Sequence, residues 1–100
     1  MEINRSDTNE AAILHLSGRL DTITAPKLQE ALVDSINGSA GKVILDLEKL
    51  AYVSSAGLRV LLLCEKNSKA SGKLMELMNV SPDVMEVFQI TGFAGILTII

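Results

Sequence analysis

Little in this chain is equipped for covalent or metal chemistry. It holds one cysteine, Cys64, and one histidine, His15. An internal disulfide and a cysteine cluster for zinc are therefore excluded. Tryptophan is absent and aromatics make up only 3% of the residues, so aliphatic side chains must fill any core. No block of five like charges occurs and the net charge is −3, which argues against a nucleic-acid or anionic-membrane surface. No apolar run approaches the roughly 20 residues of a membrane helix, and Met1 to Glu10 is too polar for a signal peptide. The expectation is a soluble protein of a reducing, cytoplasmic setting. Familiar site motifs are missing too. Ser55-Ala56-Gly57 supplies the second half of a nucleophile elbow, but Val53 stands where its first glycine belongs and His15 lies upstream instead of downstream. There is no Gly-Lys-Ser/Thr phosphate loop and no Gly-x-Gly-x-x-Gly. No histidines, cysteines or carboxylates stand at convincing metal spacing. Neither an enzyme nor a cofactor is expected.

What is present is enough for one domain over residues 1–100, with 48% hydrophobic composition to build its core. Glu2-Ile3-Asn4 reads as a short edge strand and Ala11 to Leu16 as a full one. Alternation sends Ile13 and His15 to one face, Leu14 and Leu16 to the other. His15 reads as a solvated or core-edge residue. Ser17 to Thr22 reads as a turn-bearing loop, and Ala25-Pro26 starts a helix, since proline fits the first helical position. Leu28, Leu32 and Ile36 form its buried stripe, and Asn37-Gly38 should stop it with left-handed conformers. Val43 to Leu47 is nearly continuous in apolar residues, as in an interior parallel strand. Asp46 interrupts it and is expected near the strand's end, bonded to a loop. A helix from about Ser55 to Ala70 follows, apolar on every face over Val60 to Cys64 and polar over Glu65 to Lys69. The first part should be buried, with Leu61 or Leu62 against the sheet and Cys64 as an inert thiol; the second should emerge into solvent. Ser71-Gly72 ends it, and Lys73 to Met78 is the next strand. Ser81-Pro82-Asp83 opens a third helix with Val84, Val87, Phe88 and Thr91 inward. Gly92 closes that helix, and Ile96 to Ile100 is a final strand. Helices between successive strands imply crossovers and a largely parallel sheet.

The chain is organised around Val53-Ser54-Ser55-Ala56-Gly57-Leu58-Arg59, which leads from a strand into the central helix. Serine is a favoured N-cap because its hydroxyl accepts from a free first-turn N–H. The helix N-terminus carries partial positive charge and unpaired donors, a place that suits a phosphorylated side chain or a partner's acceptors. Spacing alone leaves open whether Ser54 or Ser55 is more than a cap. For Asp21, just ahead of the first helix, the residues themselves favour a turn or capping role.

Taken together, Ser17-Gly18-Arg19-Leu20-Asp21-Thr22, Thr24-Ala25-Pro26, Val43-Ile44-Leu45-Asp46-Leu47 and the Val53 to Arg59 stretch resemble a STAS domain. The specific likeness is to a stand-alone bacterial anti-sigma factor antagonist, and it runs from about Ile13 to Ile100. It implies an α/β fold with a small, mixed, largely parallel sheet of four to five strands against three or more helices. It implies a partner that is both an anti-sigma factor and a serine kinase, whose capture frees a sigma factor. That kinase would phosphorylate a serine at the start of the second helix, and a PP2C-type phosphatase would reverse it; neither nucleic acid nor membrane would be bound directly. The match places the phosphorylated serine at Ser55, with Ser54 as runner-up. The sporulation branch of the family reads Asp-Ser-Ser-Gly here, so Ser54 replaces its Asp and Ala56 its second Ser. Asp21 matches the family's loop acid. The implied partner surface comprises Asp21, Thr22, Ser54, Ser55, Ala56, Gly57, Leu58 and Arg59. Two other classes stand as alternatives: a STAS module of another regulatory assembly, and a nucleotide- or lipid-binding module using the helix N-terminus at Ser55.

Overall fold

A computed structural model describes residues 1–100. Strands β1 (Glu2–Asp7) and β2 (Ala11–Leu20) are followed by helix α1 (Ala25–Ile36), β3 (Lys42–Val53), α2 (Ser55–Ala70), β4 (Leu74–Met78) and α3 (Pro82–Thr91). A 3-10 turn, Phe93–Gly95, precedes the last strand, β5 (Thr98–Ile99). The five strands form one sheet in the order β1-β2-β3-β4-β5. β1 runs antiparallel to β2, and the other three pairings are parallel. Each parallel step crosses over through a helix, as the alternation of elements requires.

Register aligns one core-facing row across the sheet: Leu14 beside Leu45, Leu45 beside Leu77, Leu77 beside Ile99. Leu14, Leu45 and Leu77, with Leu16, Val43, Leu47 and Met75, share one core cluster with Leu28, Leu32 and Ile36 of α1, Leu58, Leu61 and Cys64 of α2, and Val84 and Phe88 of α3, and half-buried Ile99 packs against it. All three helices therefore bury their stripes against the same set of strand residues. The alternate set, Ile13, His15, Ile44, Asp46 and Glu76, stays half-buried outside that cluster. Burial pushes the Cys64 thiol up to about 11, which leaves it protonated and unreactive at neutral pH.

Several local expectations are corrected. β2 continues through Ser17 to Leu20, where a loop was expected, because these residues still pair with β3 across two register shifts. Gly18 sits there at φ +102, and a Cβ on it would lie 3.3 Å from Met1 Cα. β3 likewise runs to Val53, well past Leu47. Asp46 is thus mid-strand, although it lies level with the end of β4, opposite Met78. α1 stops at Asn37 in a right-handed conformation, φ −77, with no left-handed residue. The second half of α2 emerges into solvent only in part: Lys66, Asn67 and Lys69 are exposed, but Glu65 and Ser68 are not. Glu65 is 3% exposed and Ser68 is fully buried, whereas Leu63 is 43% exposed. Helical geometry explains this: positions 61, 64, 65 and 68 share a face whatever their polarity, and position 63 points away. In α3, Val84 and Phe88 are buried and Val87 is half-buried, but Thr91 is exposed and its hydroxyl donates back to the Val87 carbonyl, 2.7 Å. β5 is shorter than expected because the Phe93–Gly95 turn occupies the approach and Leu97 plugs into the core.

Candidate functional site

Two segments distant in sequence meet at one end of the sheet. β2 and β3 pair to their last residues, Leu20 opposite Val53. The Ser54 N–H then donates to the Leu20 carbonyl at 2.8 Å. The loop that follows Leu20 is thereby fixed beside the start of α2. Gly57 tightens the junction, because a Cβ there would lie 2.6 Å from Leu20 Cγ and 3.2 Å from its carbonyl oxygen. Glycine is favoured here by this close approach, not by an unusual backbone angle.

The two serines have different jobs. Ser54 is the N-cap: its backbone is extended, and its hydroxyl accepts from Gly57 N–H at 3.3 Å. Ser55 is the first residue of the helix and is exposed. Ala56 is half-buried, Gly57 and Leu58 are buried, and Arg59 is exposed. Of the expected partner surface, Gly57 and Leu58 thus face inward and support the others, a correction that follows from the helical turn. Val53 and Leu58 hold the segment to the core on either side of the serines.

Asp21 opens a tight turn. Its Oδ1 accepts from the Ile23 and Thr24 N–H groups at 3.0 and 3.1 Å. Thr24 replies, its hydroxyl accepting from Asp21 N–H at 2.9 Å and donating to the Arg19 carbonyl at 2.8 Å. The Asp21 carbonyl accepts from Ala25 N–H as α1 begins. The Thr24 N–H bond, with help from Ile23 and nearby Arg19, holds the Asp21 carboxyl below its ordinary range. It is therefore a staple of the loop as well as an accessible charge. Thr22 beside it is exposed.

Sequence reasoning missed three neighbours. Ile23 is 86% exposed at the tip of this turn. Arg19 lies over the Tyr52 ring, 4.2 Å from its centroid, because the two are register partners on β2 and β3. The Asp21-x-x-Thr24 spacing was a legible sign of reciprocal turn bonding, analogous to a capping box, and an isolated isoleucine in a polar loop was a legible sign of an exposed contact. The Arg19–Tyr52 pair depends on the register shifts and had no sign in the sequence. The resulting surface, Asp21, Thr22, Ile23, Ser54, Ser55, Ala56 and Arg59, offers a small apolar point, charges of both signs and an accessible hydroxyl. No group of three or more His, Cys, Asp or Glu side chains gathers to hold a metal ion, and no helix is long and apolar enough to cross a membrane.

Comparison with known proteins bears on this arrangement. The chain is 34% identical over 96 residues to BtrV of Bordetella bronchiseptica, covering 96% of this chain and 83% of that one. It is 32% identical over 100 residues to the anti-sigma-B factor antagonist of Listeria monocytogenes, covering 99% and 86%. Among solved structures it superposes on the anti-sigma factor antagonist SpoIIAA in its unphosphorylated form with TM-score 0.82 at 24% identity, covering 99% and 88%. The phosphorylated form of SpoIIAA gives TM-score 0.75 at 23% identity, covering 99% and 91%. At these identities the structural likeness speaks for the fold alone. The sequence model of the STAS domain matches residues 2–100, and with the fold and relatives in agreement the chain belongs to the STAS domain family.

Proposed function

We propose that this chain is an anti-sigma factor antagonist, a regulatory binding protein switched at Ser55. Its partner is an anti-sigma factor that is also a serine kinase. Unmodified, the surface around Asp21 and Ser55 captures that partner and frees the sigma factor; phosphorylated, it does not. A PP2C-type phosphatase resets the switch, and the setting is the cytoplasm. The relatives' names support the antagonist role. The observation that carries the choice of residue is the division of labour between the serines: the Ser54 hydroxyl is occupied as the cap, while Ser55 is exposed one residue later.

A phosphate on Ser55 brings about −1.5 to −2 charge. At a helix N-terminus that charge is tolerated, or favoured by about 0.3–1 kcal/mol, so the domain stays folded. The partner is the side that suffers. A surface matched to a hydroxyl and to the Asp21 carboxylate must desolvate the phosphate, and tenfold weaker binding needs only about 1.4 kcal/mol. The test is incubation with the cognate kinase and ATP, phosphosite mapping, and calorimetric titration of both forms. The expected results are phosphate on Ser55, loss of binding on phosphorylation, weak binding by Ser55→Asp and constitutive binding by Ser55→Ala, all with unchanged far-UV dichroism. Phosphate on Ser54, or tight binding by the Ser55 phospho-form, overturns the proposal.

A further inference from the structure

The open face of the sheet carries a second constellation, unconnected with the partner surface. Antiparallel pairing sets Asn4 opposite His15 and so puts Ser6 diagonal to it. Parallel pairing sets His15 directly beside Asp46. Strand alternation turns all three to the face that no helix covers. Their polar atoms meet in a line: Ser6 Oγ lies 2.9 Å from His15 Nε2, and His15 Nδ1 lies 2.8 Å from Asp46 Oδ2. The other Asp46 oxygen accepts from Glu48 N–H at 3.1 Å and from the Asn79 side-chain amide at 2.9 Å. Asn79 is the one non-glycine residue with positive φ, +58, a left-handed conformation that asparagine accommodates and that accompanies its bond to Asp46. Exposure grades as a proton relay requires: the Asp46 side chain is 13% exposed, that of His15 41%, and Ser6 is open to solvent.

Protonation states follow from these bonds. Burial pushes the Asp46 carboxyl up, but the bonds from Asn79, His15 and Glu48 outweigh it and hold the group below its ordinary range. An ionised Asp46 only accepts, so His15 Nδ1–H donates to it, and in the neutral imidazole that bond leaves Nε2 to accept from the Ser6 hydroxyl. This is the nucleophile–base–orienting acid arrangement of hydrolytic triads, which is defined by geometry rather than by sequence order. A cleft of about 340 Å³ opens beside His15 and Asp46, lined also by Asn4, Lys49 and the acids Glu2 and Glu48 but not by Ser6, which stands at its edge.

We propose that Ser6 is a nucleophile toward small activated esters, with His15 as its general base and Asp46 and Asn79 as positioning residues. Ser6 Oγ attacks the ester carbonyl carbon while its proton passes to His15 Nε2. The tetrahedral adduct collapses, the C–O bond to the leaving alcohol breaks, and that alcohol takes the proton from His15. Water then attacks the acyl-Ser6 ester with the same base and releases the carboxylic acid. Asn4, two residues along β1 and on the same face as Ser6, is a movable donor for the oxyanion, not a fixed backbone N–H group. Turnover is therefore slow, and acyl-Ser6 is the species to detect.

The experiment treats the full chain with p-nitrophenyl acetate at neutral pH and maps acetylation by peptide mass spectrometry, following phenolate release alongside. One acetyl group on Ser6 is expected, with release abolished from that site in Ser6→Ala. His15→Gln and Asp46→Asn are expected to slow Ser6 acylation at least about tenfold, given the usual contribution of a positioned base. Imidazole ¹⁵N shifts separate positioning from mere support: His15 is Nδ1-protonated in the wild type and a tautomer mixture in Asp46→Asn, at unchanged far-UV dichroism. Acetylation confined to lysines and the N-terminal amine of the wild type overturns the proposal whatever the variants do, as does equal Ser6 labelling in wild type and a folded His15→Gln.

Discussion

Replacing Asp21 by Asn keeps an oxygen where Ile23 and Thr24 donate, while replacing it by Ala removes that acceptor. The two changes therefore separate charge from turn. Asp21→Asn is expected to weaken partner binding with little change in melting temperature. Asp21→Ala should weaken binding and also lower the melting temperature, because two loop N–H groups lose their acceptor. Calorimetry beside thermal melts decides it; unchanged affinity in both variants would remove Asp21 from the partner surface. The loop acid was legible in the sequence twice, by resemblance and as the turn residue its place before a helix favours; what the bonded geometry adds is the Thr24 hydroxyl, which bridges Asp21 N–H and the Arg19 carbonyl. Gly57 gives a second residue-scale prediction. A Cβ at 2.6 Å from Leu20 Cγ must push a fully buried side chain aside. Such overpacking costs about 1–3 kcal/mol, against a gain near 1 kcal/mol for alanine over glycine in a helix. Gly57→Ala should thus be neutral to about 2 kcal/mol destabilising, and its cost should shrink when Leu20 is also truncated to Ala. A double-mutant cycle in urea measures that coupling; strict additivity would mean the contact is not felt.

At the scale of elements, α2 shows where sequence patterning works and where it stops. Its bounds, Ser55 and Ala70, agree with the reading from its cap and from the Ser71-Gly72 stop, because those signals are local. Its burial does not agree, because five consecutive apolar residues from Val60 to Cys64 hide which face meets the sheet. The structure chooses Leu61, fully buried, over half-buried Leu62, and carries the stripe on to Glu65 and Ser68. Leu61→Ala is accordingly expected to cost about 2–5 kcal/mol, with Leu62→Ala clearly milder. Equal shifts in the denaturant midpoint would contradict this orientation. The long strands were hidden for a different reason. Ser17 to Leu20 and Glu48 to Val53 lack clean alternation, since two register shifts break the period on which strand recognition rests. The same shifts carry the Leu20 loop to the start of α2, so the site is assembled by the part of the fold least visible in sequence.

The whole molecule is a sheet covered on one face, and two carboxyls outside that core, Asp46 on the open face and Asp21 in the loop before α1, impose an acid dependence. Asp46 and Asp21 both hold their carboxyls below the ordinary range when folded. Groups lowered in this way stabilise the fold above their unfolded pKa, near 4, and that contribution is lost as pH falls through the folded values. Melting temperature should therefore stay level toward neutral pH and drop below about pH 4, with a shallower drop in Asp46→Asn; an identical acid limb in that variant would remove Asp46 as a cause. One further property follows from the length of α2. Its 16 residues, at a rise of about 1.5 Å each, span about 24 Å. The Ser71-Gly72 turn therefore lies a full molecular diameter from Ser55, and both of its residues are exposed. Gly72 borders open space. New chain termini cut at this turn, or a fluorescent domain spliced into it, would ride clear of anything seated at the Ser55 end, and energy transfer to a labelled partner would report capture and release from a tag that the switch itself never touches.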